Sequence, residues 1–275
     1  MSVEPSSDAF RDFEQTGWEE AASEYQRFFG PLTAQSIGPL LDAAGVAAGT
    51  RVLDVATGMG YVAAAAATRG ANVIGLDFAA VMLAEARRRH PGIEFRLGDA
   101  EALPFDDATF DAVVMNYGLL HLGQPEQALA EARRVLRVGG RVAYTVWADP
   151  TSTVPYAIVL GAIREHGRLD VPLPIGPPFF RFSDPAESRR TLLSVGFADP
   201  TVTTLEQTWH LPSPDGLFDA MRTGTVRTAG LLRAQTPAAL ATIRDAIRQA
   251  ARPYDRDGTL VLPMPAVLAS AHEPE

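Results

Sequence analysis

Arg51–Ala63 reads RVLDVATGMGYVA: a short apolar run carrying one Asp, a glycine-bearing turn, and the start of an alanine-rich helix. A run this short and apolar, closed by turn residues, predicts a buried parallel strand at Arg51–Val55. Thr57, Gly58 and Gly60 make the turn, where glycine permits positive φ and lets a ligand approach the backbone. The following helix directs free N–H groups and its positive dipole end at whatever lies over the strand tip. A nucleotide-type site at the carboxyl edge of a parallel sheet follows.

The same alternation continues along the chain. Helices are expected at Tyr61–Arg69, Ala80–His90 and Pro125–Val135, and strands at Asn72–Asp77, Ile93–Leu97, Phe110–Asn116 and Arg141–Val146. Strands alternating with helices imply parallel pairing through right-handed crossovers. Gly70 and Gly139-Gly140 stand at expected helix stops. Upstream, Trp18, Ala22, Tyr25 and Phe29 form one apolar helical stripe that Pro31 interrupts, and Leu32–Ala44 resumes helical spacing. Downstream come a helix at Val154–His166, a proline-rich loop, and a helix opened by Ser183-Asp184-Pro185 and closed by Gly196. Strands are expected at Ala198–Leu211 and Thr259–Ala271, with helices between them, the clearest opened by Thr236-Pro237.

The glycine turn by itself allows two ligands. Gly58-x-Gly60-x-x-Ala63 fits a dinucleotide fingerprint, with Asp77 where an NAD ribose partner would sit. A second acidic element separates the readings: Ile93–Phe105, IEFRLGDAEALPF, is a strand followed by Asp99-Ala100-Glu101 and a Leu-Pro-Phe turn. Next come a strand ending in Asn116-Tyr117-Gly118, and Leu136-Arg137-Val138-Gly139-Gly140 before a further strand. With these motifs in this order, Gly45–Trp147 resembles the class I S-adenosylmethionine (SAM)-dependent methyltransferases. Within them it is most similar to the small-molecule branch of the ubiquinone/menaquinone C-methyltransferases, the methyltransferase type 11 domain.

The resemblance implies a Rossmann-like α/β fold: a seven-stranded, mostly parallel sheet with an antiparallel edge hairpin, helices on both faces and a helical cap. Ala198–Leu211 and Thr259–Ala271 would be that hairpin. One methyltransferase domain would fill residues 1–275, with an N-terminal helical cover at 8–44 and the SAM-binding core at 45–148. Cap insertions would occupy 149–182 and 213–256, and the end of the sheet 183–211 and 257–271. Asp77 would accept from the ribose hydroxyls, as a strand-tip carboxylate can. Asp99, with the Ala100 N–H and neighbouring Glu101, would meet the adenine, flanked by Phe78 and Met82. Ala56, Thr57 and Gly58, ahead of Gly60, would face the methionine portion with backbone groups. The family commonly has glycine at position 56, and alanine is tolerable there if its φ stays negative. Asp54 would hold the loop and the cofactor's amino group, or act as a buried structural Asp satisfied by backbone N–H groups. Asn116, Tyr117 and Leu119 would lie near the transferable methyl, and Tyr25 is a candidate lid. His121 is the one candidate general base, with packing or capping near the next helix as its alternative. Phe179, Phe180, Phe182, Trp209, Phe218 and Met221 could line a pocket for a small, largely apolar substrate or form the cap's own core.

Composition narrows the chemistry. The chain carries no cysteine, which excludes disulfides, thiol nucleophiles and thiolate metal sites. It also carries no lysine, since all 24 basic residues are arginine, so Schiff-base chemistry, a P-loop lysine and a Tyr-x-x-x-Lys reductase site are excluded. A net charge of −9 disfavours nucleic acid as a partner. No apolar stretch is long enough for a membrane helix, and the acidic N-terminal segment lacks a signal pattern, so a cytoplasmic enzyme with no metal site is the expectation. A homodimer is left open. The leading function is methyl transfer from SAM to O, N or C of a small molecule, releasing S-adenosylhomocysteine. Competing functions are a SAM-binding natural-product enzyme catalysing cyclisation or rearrangement, an NAD(P)-dependent oxidoreductase, and a non-enzymatic SAM-binding partner protein.

Overall fold

The computed structural model describes residues 7–274. In chain order the elements are α1 (Ser7–Thr33), α2 (Ile37–Ala43), β1 (Arg51–Val55), α3 (Tyr61–Thr68), β2 (Asn72–Asp77), α4 (Ala80–Arg89), β3 (Glu94–Leu97) and β4 (Phe110–Asn116). Then come α5 (Pro125–Val135), β5 (Leu136–Trp147), α6 (Val154–His166), α7 (Pro185–Ser194), β6 (Ala198–Leu205) and β7 (Thr208–Leu211). The chain closes with α8 (Gly216–Thr223), α9 (Arg227–Arg233), α10 (Pro237–Ala251), β8 (Asp255–Arg256), β9 (Thr259–Pro263) and β10 (Ala266–His272). These elements form two compact units. One comprises Thr33–Trp147, Gly176–Leu205 and the chain from Ala266 onward; the other comprises the chain up to Leu32, Ala148–Ile175 and Glu206–Pro265.

The first unit is built on a seven-stranded sheet of order β3-β2-β1-β4-β5-β10-β6. β3, β2, β1, β4 and β5 run parallel, and β10 is antiparallel to both β5 and β6. Apolar side chains from β1, β4 and β5 meet α2 and α3 on one face, with Leu40, Leu41, Val52, Val62, Val114 and Ala143 in a single cluster. Ala63 and Leu83 close over Phe95 beside it. Ala66 and Ala86 belong to these clusters too, and their small side chains let α3 and α4 approach the sheet closely. α7 starts as its sequence requires, with the Asp184 side chain accepting from the Ala186 N–H and Pro185 in the first turn.

The second unit is mostly helical, with an antiparallel sheet of order β7-β9-β8. Its core is aromatic: Phe29 lies 4.6 Å from Trp209 between ring centroids, and Trp209 Nε1 donates to the Phe28 carbonyl at 2.7 Å. Phe218, Met221, Ile243 and Ile247 are buried with them. Thr236 caps α10 by accepting from the Ala239 N–H.

Three expectations change. Ala198–Leu211 and Thr259–Ala271 do not form one hairpin. Each run divides, so that β6 and β10 pair in the large sheet while β7 and β9 pair in the small one. The division falls at Glu206-Gln207 on one run and at Pro263-Met264-Pro265 on the other, where proline removes ladder donors. Met264 N–H donates to the Gln207 carbonyl at the break. Pro31 does not end the first helix; α1 runs on to Thr33. Proline forfeits one backbone bond there, and the burial of Phe28, Phe29 and Leu32 around it outweighs that loss. Gly139-Gly140 does not close α5. That helix passes into β5 at Leu136, and Gly139, at φ +72°, lies inside the strand near a register shift against β4.

Candidate functional site

The site is built where β1, β2, β3 and β4 end. Val55 pairs with Leu76 and Asp77 with Leu97, which sets the three turns after β1, β2 and β3 side by side at strand spacing. The Gly98 N–H donates to the Asp77 carbonyl, tying the third tip to the second.

After β1 the backbone crosses to positive φ at Ala56 (+54°), Gly58 (+54°) and Gly60 (+81°) before α3 begins. Negative φ, the condition set for alanine at position 56, is not met: Ala56 is left-handed, a conformation that costs a Cβ-bearing residue about 1–2 kcal/mol. Its methyl faces Gly118, where an added Cβ would come within 2.6 Å of Ala56 Cβ. A Cβ on Gly58, by contrast, would meet nothing within 4 Å, so space opens above that backbone.

Two carboxylates hold this turn. Asp54 is fully buried; its Oδ2 accepts from Thr57 Oγ1 and from the Ala63 N–H at 3.0 Å, while Oδ1 is buried with no partner. Asp77 takes the Gly58 N–H on Oδ2 at 2.7 Å and the Ala79 N–H on Oδ1 at 2.9 Å. Burial pushes Asp54 up to about 7, against its bonds from Thr57 and Ala63, with the Asp77 charge raising it further. Burial likewise pushes Asp77 up to about 6, against the N–H donors of Ala79, Gly58 and Phe78. Asp77 thus ties the loop of the neighbouring strand to its own turn.

Asp99, half-buried, accepts from the Glu101 N–H at 2.9 Å in a turn closed by Ala102 N–H to the Asp99 carbonyl. Ala100 is buried within it. The Glu101 side chain accepts from the Gln124 N–H at the start of α5, at 2.7 Å. Further along, Arg134 of α5 donates to the carbonyls of Leu103 and Phe105, so the loop is anchored at both ends. Phe78 is half-buried next to Asp77, and Met82 is buried in the first turn of α4.

After β4, Asn116 has a role that spacing did not show. Its Oδ1 accepts from Ser36 Oγ at 2.8 Å and Thr145 Oγ1 at 2.6 Å, and its Nδ2 donates to the Thr33 carbonyl. Asn116 therefore fastens the strand tip to the turn between α1 and α2. Tyr117, at φ +57°, stacks on Trp147 with centroids 4.0 Å apart, and Leu119 is buried in the next turn. His121 ends that turn and lies edge-on to Phe179 at 5.8 Å. Phe179 and Phe180 are half-buried, whereas Phe182 is core beside Tyr144. Trp209, Phe218 and Met221 are core of the helical unit. Tyr25 also belongs to that unit, stacked on Phe29 and edge-on to Trp18. Ser36, Thr145, Trp147 and Gly118 carried no local signal, because each acts through a partner far away in sequence. Among the described residues no His/Asp/Glu group could hold a metal, and no helix is long and apolar enough to cross a membrane.

A methyltransferase domain model matches residues 53–144, the segment containing the four strand tips. A 2-phytyl-1,4-naphthoquinone methyltransferase of Synechocystis is 36% identical over 64% of this chain and 78% of its own length. The chain belongs to the class I SAM-dependent methyltransferases. A demethylmenaquinone methyltransferase of Renibacterium salmoninarum is 45% identical over 41% of this chain and 47% of its own, so the chain spans about half the length of such relatives. The fold is shared with phosphoethanolamine N-methyltransferase 2 of Haemonchus contortus bound to SAM, with TM-score 0.60 and 19% identity over 97% of this chain and 60% of that one.

Proposed function

We propose that the sheet unit binds SAM across the tips of β1, β2 and β3, and that the chain transfers its methyl group to a small, largely apolar organic molecule. The observation that carries this reading is Asp77, a buried strand-tip carboxylate whose oxygens grip the Gly58 and Ala79 N–H groups with Asp99 on the adjoining tip. The residues fit the cofactor. Space opens over Gly58 for a ligand lying against the backbone, and the unmet acceptor at Asp54 Oδ1 suits a cationic neighbour. Asp77 would take the ribose hydroxyls, Asp99 and the Ala100 N–H the adenine, with Phe78 and Met82 along its faces.

When bound, SAM supplies an already activated methyl, so the protein's part is alignment and exclusion of water. Tyr117, fixed on Trp147, and Leu119 present an apolar wall after β4. His121 would take a proton at one ring nitrogen when the substrate nucleophile is a hydroxyl or an acidic carbon. The relatives are named for demethylmenaquinone and a phytyl naphthoquinone, which makes a reduced naphthoquinone the first substrate class to try.

The test is calorimetric titration with SAM and S-adenosylhomocysteine, followed by assay of S-adenosylhomocysteine release with reduced naphthoquinones. Binding should be saturable and should weaken at least ~30-fold in a folded Asp77→Ala variant, the loss of a charge-assisted pair. Absence of binding in the intact protein, or unchanged affinity in that variant, would reject the assignment.

A further inference from the structure

Residues 98–109 join β3 to β4 as a succession of turns, where a crossover between parallel strands usually carries a helix. A connection of that kind has no hydrogen-bond ladder to fix it and is ordinarily mobile. This one is held from α5. Arg134 donates every guanidinium N–H. Its Nη1 reaches the Phe105 carbonyl and Asp107 Oδ1, both at 2.8 Å, and its Nη2 reaches the Leu103 carbonyl at 2.9 Å and Glu131 Oε2 at 2.8 Å. Its Nε reaches Glu131 Oε1 at 2.8 Å. Glu131 Oε2 also accepts from the Leu103 N–H at 2.8 Å, so both backbone groups of Leu103 are bound to the pair. The backbone of Arg134 takes part as well: its carbonyl accepts from the N–H of Ala108, which is left-handed at φ +52°. A residue with a Cβ keeps that conformation only where its surroundings hold it.

The ion pairs in this cluster are half-exposed and by themselves contribute little. What they do is aim a rigid fork at two carbonyls of one loop, a task that a lysine cannot perform with its single ammonium. Asp99 and Ala100 stand between these holds on α5 and the Gly98 tie to the β2 tip. A turn ordered in advance spares a ligand the entropy of ordering it.

We propose that Arg134 is a positioning residue for the adenine end of the cofactor, acting through residues 99–107 rather than by contact. This rests on the reading of Asp99 and the Ala100 N–H as the adenine partners. The fork sets where that turn stands relative to the Asp77 tip, and so whether adenine and ribose can be held at once.

The test is a double-mutant cycle read by calorimetric titration with S-adenosylhomocysteine, with circular dichroism to check that each variant is folded. Arg134→Lys keeps the charge and loses the fork, and should weaken binding at least ~10-fold through misplacement alone. On an Asp99→Ala background the same change should cost less than about threefold, because the group it positions is gone. A merely structural arginine would loosen the protein equally on both backgrounds, so an undiminished loss beside Asp99→Ala overturns the proposal. Unchanged affinity in Arg134→Lys also overturns it and leaves the SAM reading standing, whereas a wild type that binds no S-adenosylhomocysteine rejects the SAM reading first. If Arg134→Lys does not fold, Glu131→Gln, which keeps an acceptor for the Leu103 N–H but removes the carboxylate that orients the fork, is read in the same cycle.

Discussion

Both units bury a glutamate against arginine, Glu187 on Arg181 in the sheet unit and Glu14 in the helical unit, whereas the strand tips bury their carboxylates in the opposite way. In the helical unit Glu14 is fully buried and its Oε1 accepts from Arg227 Nε at 2.7 Å, with the same guanidinium 4.4 Å over the Phe10 ring. In the sheet unit Asp54 and Asp77 are buried with no arginine or histidine paired to them among the described residues; hydroxyl and backbone N–H groups hold them instead. A charge neutralised inside the chain is architecture. A charge held only by dipoles, and raised in pKa by burial, is left for a cation or a set of donors brought by a ligand.

The sharpest break of that comparison is at Glu14. Glu14→Ala removes the carboxylate beside a largely buried guanidinium and should cost about 3–5 kcal/mol of unfolding free energy, read as a lower urea midpoint at unchanged slope. Asp77→Ala should act the other way round. Its ionised form is expensive to bury, so stability at pH 8 should change by under about 1 kcal/mol while cofactor affinity falls. A collapse of stability in Asp77→Ala, or a neutral Glu14→Ala, would erase the distinction between the two kinds of burial.

The pKa directions supply the next test. Asp54 and Asp77 have an ordinary value of 3.8 and rise to about 7 and about 6 in the folded chain. The folded state therefore keeps protons that the unfolded chain has released. Their stabilising contribution is complete below about pH 4 and is lost as pH rises through 6 and 7. Asp54→Asn keeps an acceptor for Thr57 and Ala63 without the charge, so its stability advantage over the wild type should grow from pH 5 to pH 8. A cationic ligand favours the ionised carboxylates, so wild-type affinity for SAM should rise across the same window with proton release detectable in calorimetry. Flat affinity from pH 5 to pH 8 would show that neither carboxylate faces the ligand's charge.

The two regions also differ in how far they could be read from sequence. β1, β2, β4, α5 and α6 fall where spacing placed them, because each is fixed by its own periodicity. The tips after β1, β2 and β3 were legible for the same reason: Gly58, Asp77 and Asp99 act on neighbours within one or two strands. The break of the late strands was not legible. Trp209 and Leu211 alternate with polar residues just as Val202 does, and only the packing of Trp209 into the aromatic core assigns β7 to the small sheet. Asn116 shows the same limit, since Ser36 lies 80 residues away and nothing near Asn116 announces it.

The smallest expected effect is at Ala56, and it asks whether the turn after β1 is shaped by ligand or by packing. At φ +54° alanine is strained by about 1–2 kcal/mol, and glycine would relieve that strain while adding about 0.5–1 kcal/mol of unfolded-state entropy. Ala56→Gly should therefore raise the urea midpoint by an amount equivalent to about 1 kcal/mol or less. The lost methyl faces Gly118, and position 56 would meet the cofactor through backbone groups only, so affinity for SAM should hold within a factor of about two. If Ala56→Gly instead lowers stability, contact between the Ala56 methyl and the backbone at Gly118 outweighs the strain. The left-handed turn would then be held by packing against the β4 tip rather than by the carboxylates of Asp54 and Asp77.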